Sequence, residues 1–326
     1  MKLHEDKAVF RNAVIITANQ MNISPIYVEK DYWVTYTLHT IFHAEIAKHT
    51  VFKGGTALLK CNGLIQRFSE DIDLVILREG GESGNQLGNK VKKISKVVSD
   101  VLPEVAIENV TQKMGMNRKT AHAYPKEFEG NFGQVRDVII VEATWLGYFE
   151  PYLTQKVSSF IFQMMQKAGQ EAIAEQLGLL PFAVLALDPK RTLCEKIMSL
   201  VRFSYTNQPI DDLKKKVRHT YDLHKLLQIE ELATFFHSQE FDKMLLKVAN
   251  DDVKSYKNNN LWLEFHPEKA LIFADTRAVW EQIQETYNGA FRNLVFGEFP
   301  KDKEVLGTLV SIGNRLSTIE WAVNLG

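Results

Sequence analysis

The sequence predicts an α+β protein, with a mixed sheet and its helices over residues 1–150 and a mainly helical domain over residues 151–326. Three observations carry that prediction. Single apolar runs of strand length alternate with helical stretches up to about residue 145. Beyond residue 150 the apolar positions recur almost everywhere at helical spacing, with Phe182 to Leu187 as a short run that reads as one more strand. The chain has 326 residues, 45% of them hydrophobic and 24% charged, enough for one large or two ordinary domains with real cores.

The elements follow in order. Residues 5 to about 45 read as two helices, the second opened by Ser24 as cap and Pro25 at its first position. Its apolar stripe is Val28, Tyr32, Trp33, Tyr36, Leu38 and Ile41. A short strand is expected at about 49 to 53, then the turn Gly54-Gly55-Thr56 and a helix, then a strand carrying Asp71 and Asp73. The glycine-rich stretch from Arg78 to Gly84 reads as a loop over a site or as a long turn. A helix is expected at 86 to 101, a strand from Glu104 to Gln112, a polar basic stretch from Lys113 to Gly130, and a strong strand from Asp137 to Trp145. Helical pieces should follow near 155–178, 190–206, 211–228, 230–248, 267–289 and 301–324.

Composition bounds the function. A formal net charge of −1 leaves any nucleic-acid binding to local basic patches. No run approaches the roughly 18 consecutive apolar residues of a membrane span. Cys61 and Cys194 fall in apolar helical patterns and read as small core residues of a reducing compartment. With no apolar signal segment at the N-terminus, the expected location is cytoplasmic. No Cys-x-x-Cys pair, P-loop or hydrolase elbow is present.

The chemistry concentrates between Lys53 and Leu74. Side chains alternate along a strand, so Asp71 and Asp73 share one face and Ile72 and Leu74 the other. Two such carboxylates call for a cation, and oxygen ligands suit Mg²⁺. The glycines ahead of them admit a phosphate close to the backbone, and the next helix would add its positive end. Farther on, Glu142 interrupts an otherwise apolar strand on the face of Ile140 and Thr144. If that strand lies beside the Asp71/Asp73 strand, three carboxylates converge as two-metal phosphoryl transfer requires.

This order of Gly-Gly and Asp-x-Asp resembles the DNA polymerase beta-type nucleotidyltransferases. More narrowly, Lys53-Gly54-Gly55-Thr56, then Arg67-Phe68-Ser69-Glu70-Asp71-Ile72-Asp73-Leu74, with Glu29-Lys30-Asp31-Tyr32-Trp33 upstream, resembles the AbiEii family of nucleotidyltransferase toxins. The resemblance implies that Asp71, Asp73 and Glu142 bind a pair of Mg²⁺ ions, and that Gly54, Gly55, Thr56 and Ser69 cradle the triphosphate of an NTP. A family helix of Glu-Lys-Leu-x-Ala-Leu-x-x-Arg type matches Glu195, Lys196 and Arg202, with Ile197 and Ser199 as mild departures. It implies that Lys196 and Arg202 contact the nucleotide. An Arg-x-x-x-Asp-Leu helix matches Arg218 and Asp222, and it makes Asp222 an active-site residue, where residue spacing alone gives an i,i+4 ion pair. The active site is then expected in a cleft between the domains.

The resemblance further implies a toxin of an AbiE-like toxin–antitoxin or phage-defence system, with a separately encoded antitoxin as partner and the tRNA 3′ end as leading acceptor. Lys214, Lys215, Lys216 and Arg218, and Lys190-Arg191, are the basic clusters that RNA phosphates would meet, or they are solvated faces. The stretch from Lys113 to Lys126, with His122 and Tyr124, would add stacking. Transfer to a protein side chain, or nucleotide binding without catalysis, are the alternatives. The complete set Asp71, Asp73, Glu142 and Lys196 favours catalysis over the last.

Overall fold

The computed structural model describes residues 1–61, 63–130, 135–256 and 259–325. The chain divides into two compact units, Met1–Gly63 with Arg67–Leu187, and Leu64–Gln66 with Asp188–Gly326. The first unit starts with helices α1 (Lys7–Met21) and α2 (Pro25–Phe42), then β1 (Thr50–Lys53), α3 (Gly54–Lys60), β2 (Ile72–Ile76) and α4 (Gly84–Ser99). It continues with β3 (Glu104–Val105), β4 (Gln112–Lys113), β5 (Asn117–His122), β6 (Ile139–Thr144), β7 (Tyr152–Val157), α5 (Phe160–Lys167), α6 (Glu171–Gln176) and β8 (Phe182–Leu187).

These strands form one mixed sheet in the order β3-β5-β6-β2-β1-β8-β7, with β4 on the side of β5. Residues 151–187, grouped by the sequence reading with the helical domain, complete this sheet, because β8 pairs in parallel with β1 and β7 antiparallel with β8. Alternation sorts the faces. Ile72, Leu74 and Ile76 of β2 and Ile139, Val141 and Ala143 of β6 pack into a large core with Tyr32, Trp33 and Leu38 of α2 and Val91, Ile94 and Val98 of α4. On the opposite face, small clusters around Val51, Val75 and Leu187, and around Ala121, Val138 and Ile140, leave a polar band between them.

Two expected elements take another form. The strand expected from Glu104 to Gln112 is broken, since the Thr111 hydroxyl donates back to the Ile107 carbonyl and Asn109 sits at φ 58°. The helix expected over 155–178 gives way to edge strand β7, and α5 begins only where Ser159 caps the Phe162 amide. It ends at Gly169, whose φ of 68° favours glycine.

The second unit is helical: α7 (Pro189–Phe203), α8 (Pro209–Lys215), α9 (Val217–Leu227), α10 (Glu230–Phe236), α11 (Gln239–Ser255), α12 (Leu271–Ala274), α13 (Thr276–Thr286) and α14 (Asp302–Leu316). Asp188 caps α7 by accepting from the Lys190 amide at 2.7 Å. Leu193, Ile197, Leu200 and Val201 of α7 are buried, as are Tyr221, Leu223 and Leu226 of α9 and Phe241 and Leu245 of α11. Pieces read as single helices are split, as at Ser238, which caps α11.

Helix α2 is buried on nearly every side, including three consecutive charges. The Glu29 carboxylate accepts from the Glu127 and Phe128 amides at 2.7 and 3.2 Å. The Lys30 ammonium pairs with Glu70 and donates to the carbonyls of Arg136 and Val138. Asp31 binds Lys60 at 2.5 Å and accepts from the Phe160 amide at 2.8 Å. Each charge thus fastens a different segment to α2.

Two outcomes follow from these contacts. Lys60→Met leaves Asp31 as a buried, uncompensated charge and should cost about 3–5 kcal/mol in urea unfolding. Burial pushes the Glu29 carboxyl from 4.5 up to about 7. Between those values the folded state holds a proton that the unfolded chain has released. Its contribution is therefore full below pH 4.5 and lost as pH rises to 7. Relative to Glu29→Gln, the wild type should lose roughly 1–3 kcal/mol of stability across that window.

Candidate active site

Strand pairing builds the site. Antiparallel pairing of β1 with β2 sets Lys53 opposite Asp73, and parallel pairing of β2 with β6 sets Asp73 opposite Glu142. Antiparallel pairing of β5 with β6 sets Lys119 opposite Glu142. One row on the polar face of the sheet therefore reads Lys53, Asp73, Glu142, Lys119, two carboxylates flanked by two ammonium groups. Cross-strand neighbours of opposite charge attract and like charges repel, so the central pair is the strained one. Lys119 reaches Glu142 Oε2 at 3.1 Å, and Asn117 donates to Oε1 at 3.2 Å.

Asp71 lies just ahead of β2. The Asp73 carboxyl is pushed up to about 7, first by burial and then by the charges of Asp71 and Glu142. Asp71 Oδ1 is buried without a hydrogen-bond partner among the described residues, and Arg136 approaches it at 3.6 Å. Three carboxylates that burden one another, one with an orphaned oxygen, suit a divalent cation. No three His, Cys, Asp or Glu side chains among the described residues form a closed cage.

The glycine turn fits closely over this row. Gly54 has φ 80°, a left-handed conformation, and a Cβ there would collide with the Asp73 carboxylate. A Cβ on Gly55 would meet the guanidinium of buried Arg67 at 2.8 Å and the Ser69 hydroxyl at 3.2 Å. The Thr56 hydroxyl donates to the Asp71 carbonyl at 2.6 Å and shares a hydrogen bond with Ser69 at 2.9 Å. Thr56 and Ser69 thus hold the Asp71 backbone in place. Helix α3 runs only from Gly54 to Lys60, so its dipole is modest.

The remaining sequence-predicted residues lie in the helical unit. Lys196 of α7 is no solvated lysine: its ammonium sits 2.6 Å from Asp222 Oδ2 of α9, and the two residues are 6% and 0% exposed. One turn before Asp222, the half-buried His219 has its pKa held well below the usual value, by loss of solvent first and then by Lys196 and Lys216. Arg202 lies over the rings of Phe203 and Tyr256.

The basic stretches differ from expectation. His122 and Tyr124 are buried, His122 between the Leu102 carbonyl and Thr120, so neither offers a stacking surface. Arg191 is a core residue bound to Glu195 and Asp251. Lys190 pairs with Glu231, and Lys214 and Lys215 pair with Asp211 and Asp212. Sequence reasoning missed Lys119, Asn117 and Arg136. The signal for the first two was there, since residues two apart on a strand share a face.

Gly54→Ala should lower stability by roughly 1–3 kcal/mol through backbone strain. By displacing the Asp73 carboxylate it should also cut nucleotidyl transfer about a hundredfold. Circular dichroism melting and turnover on the same preparation test both, and unchanged turnover would refute the close fit.

Among curated proteins, none matches the chain. Among solved structures, it is similar to MenT4, a nucleotidyltransferase toxin from Mycobacterium tuberculosis H37Rv. The TM-score is 0.48 at 17% identity, over 92% of this chain and 98% of that one. The family model "Nucleotidyl transferase AbiEii toxin, Type IV TA system" matches residues 37–322, and the chain belongs to that family of nucleotidyltransferase toxins.

Proposed function

We propose that this toxin transfers a nucleoside monophosphate from an NTP to an RNA acceptor, the tRNA 3′ end in the first instance, in a Mg²⁺-dependent reaction. The observation that carries the reading is the register of β1, β2 and β6, which sets Asp73 beside Glu142 under a glycine turn with no room for a side chain. When bound, Mg²⁺ would neutralise the triphosphate and acidify the attacking hydroxyl. Asp71, Asp73 and Glu142 would hold it, and Glu142, half-exposed and steadied by Asn117 and Lys119, would take up the acceptor proton. Gly54 and Gly55 would let the phosphates approach the backbone, with Thr56 and Ser69 fixing the turn. Lys196, paired with Asp222, would offset the charge of departing pyrophosphate, and Arg202 would join it on the nucleotide.

RNA as acceptor rests on the family resemblance, with a separately encoded antitoxin as the expected partner. Exposed ion pairs such as Lys215–Asp212 are screened by solvent, so RNA phosphates can compete for those lysines. No described helix is long and apolar enough to cross a membrane, and we place the reaction in the cytoplasm.

Purified protein with Mg²⁺, total bacterial tRNA and each α-³²P-NTP in turn should label tRNA with one preferred nucleotide. Asp71→Ala should abolish the label, a loss of at least about a thousandfold. Label on protein with bare tRNA would move the acceptor to a side chain. No label with any nucleotide, while NTP still binds, would leave a binding role.

A further inference from the structure

We propose that Arg136 is a triphosphate-binding residue, stored on Asp71 until metal and nucleotide arrive; the inference rests on the nucleotidyltransferase reading of the site. The guanidinium lies 3.6 Å from Asp71 Oδ1, close enough for charge attraction and too far for a hydrogen bond. The Arg136 side chain is 43% exposed, unlike Arg67 and Arg191, which are 1% and 2% exposed and serve the core. What is fixed is its backbone. The Arg136 amide donates to Glu70 Oε1 at 3.0 Å, its carbonyl accepts from Lys30, and Lys30 also holds the Val138 carbonyl at 2.8 Å. Glu70 is the residue directly before Asp71, so one buried ion pair positions both the carboxylate and the arginine facing it.

Burying an ion pair costs several kcal/mol per ion before its attraction is counted. Here the pair supports a loop whose half-exposed product is one guanidinium beside a proposed metal ligand. A cation already resting on Asp71 and a divalent ion binding there repel each other. Metal binding to Asp71 therefore frees the guanidinium, whose planar fork of donors matches phosphate oxygens. The anion at hand is the triphosphate that completes the metal's coordination. Arg136 thus opposes metal alone and favours metal with nucleotide.

That opposition of sign is the test. On the full-length chain, Mn²⁺ affinity is read by electron paramagnetic resonance without nucleotide. Affinity for a non-hydrolysable α,β-methylene NTP is read by calorimetry with Ca²⁺ present, for all four bases. Arg136→Gln should bind Mn²⁺ about fivefold more tightly and the analogue about tenfold or more weakly. Arg136→Lys should return Mn²⁺ affinity to the wild-type value and recover only part of the analogue affinity. Parallel weakening of both ligands in Arg136→Gln would make the residue a mere support and overturn the proposal. So would analogue affinity within about twofold of wild type in a variant that melts normally, or a loss confined to RNA binding. If the wild type binds Mn²⁺ but no analogue, the nucleotidyltransferase reading itself fails and this proposal falls with it.

Discussion

Three buried charges in one turn of α2 hold the first unit in its working form. Glu29, Lys30 and Asp31 point in different directions around a helix that is otherwise apolar, so each must find a counterpart or impose a large desolvation cost. Asp31 finds Lys60 at the end of α3, which locks the helix that follows the glycine turn. Lys30 finds Glu70, which locks the approach to β2 and the loop before β6. Glu29 takes two backbone amides of the loop at 127–128. The same turn of helix thus fixes both sides of the acidic site without touching it. Such pairs add little net stability, but any other arrangement of the loops would strand a charge, so their effect is on uniqueness.

On that frame, sheet register does the electrostatic work. Parallel pairing of β2 with β6 brings Asp73 and Glu142 side by side, and a slip of one residue would turn Glu142 into the core. The apolar residues on the other face, Ile72, Leu74, Val141 and Ala143, make that slip prohibitive. Hydrophobic packing on one face therefore holds like charges together on the other. Burial first, and then repulsion that Lys53 and Lys119 at the two ends of the row limit without cancelling, keep the Asp73 carboxyl far above its ordinary range.

Local pattern made much of this readable. Ser24-Pro25 and Asp188-Pro189 marked helix starts, the Ile72 to Ile76 alternation marked a strand, and the glycine pair marked a turn. Unreadable were the relations between distant segments. Nothing near Arg136 says that its loop returns to Asp71, 65 positions earlier, because the link runs through buried Lys30. Basic composition misled at His122 and Tyr124, since the end of β5 from Thr120 to His122 is buried and Tyr124 just beyond it packs against Trp33. The edge strand β7 looked helical because its outward residues, Leu153 among them, stay exposed. Nothing local to Lys196 shows that it is buried, because its partner Asp222 lies on another helix, 26 positions on.

The burial of Lys196 and Asp222 also bears on how such a toxin can be disarmed by mutation. A substitution lowers the abundance of a protein where it strands a buried partner, and the proposed site residues differ in that respect. Asp71 is 29% exposed and faces the half-exposed guanidinium of Arg136, so replacing it strands no charge in the interior. Replacing Lys196 or Asp222 leaves its partner charged and enclosed, which lowers the folded population that proteases must contend with. A substitution at Asp71 therefore spares the fold, whereas one at Lys196 or Asp222 withdraws the protein itself.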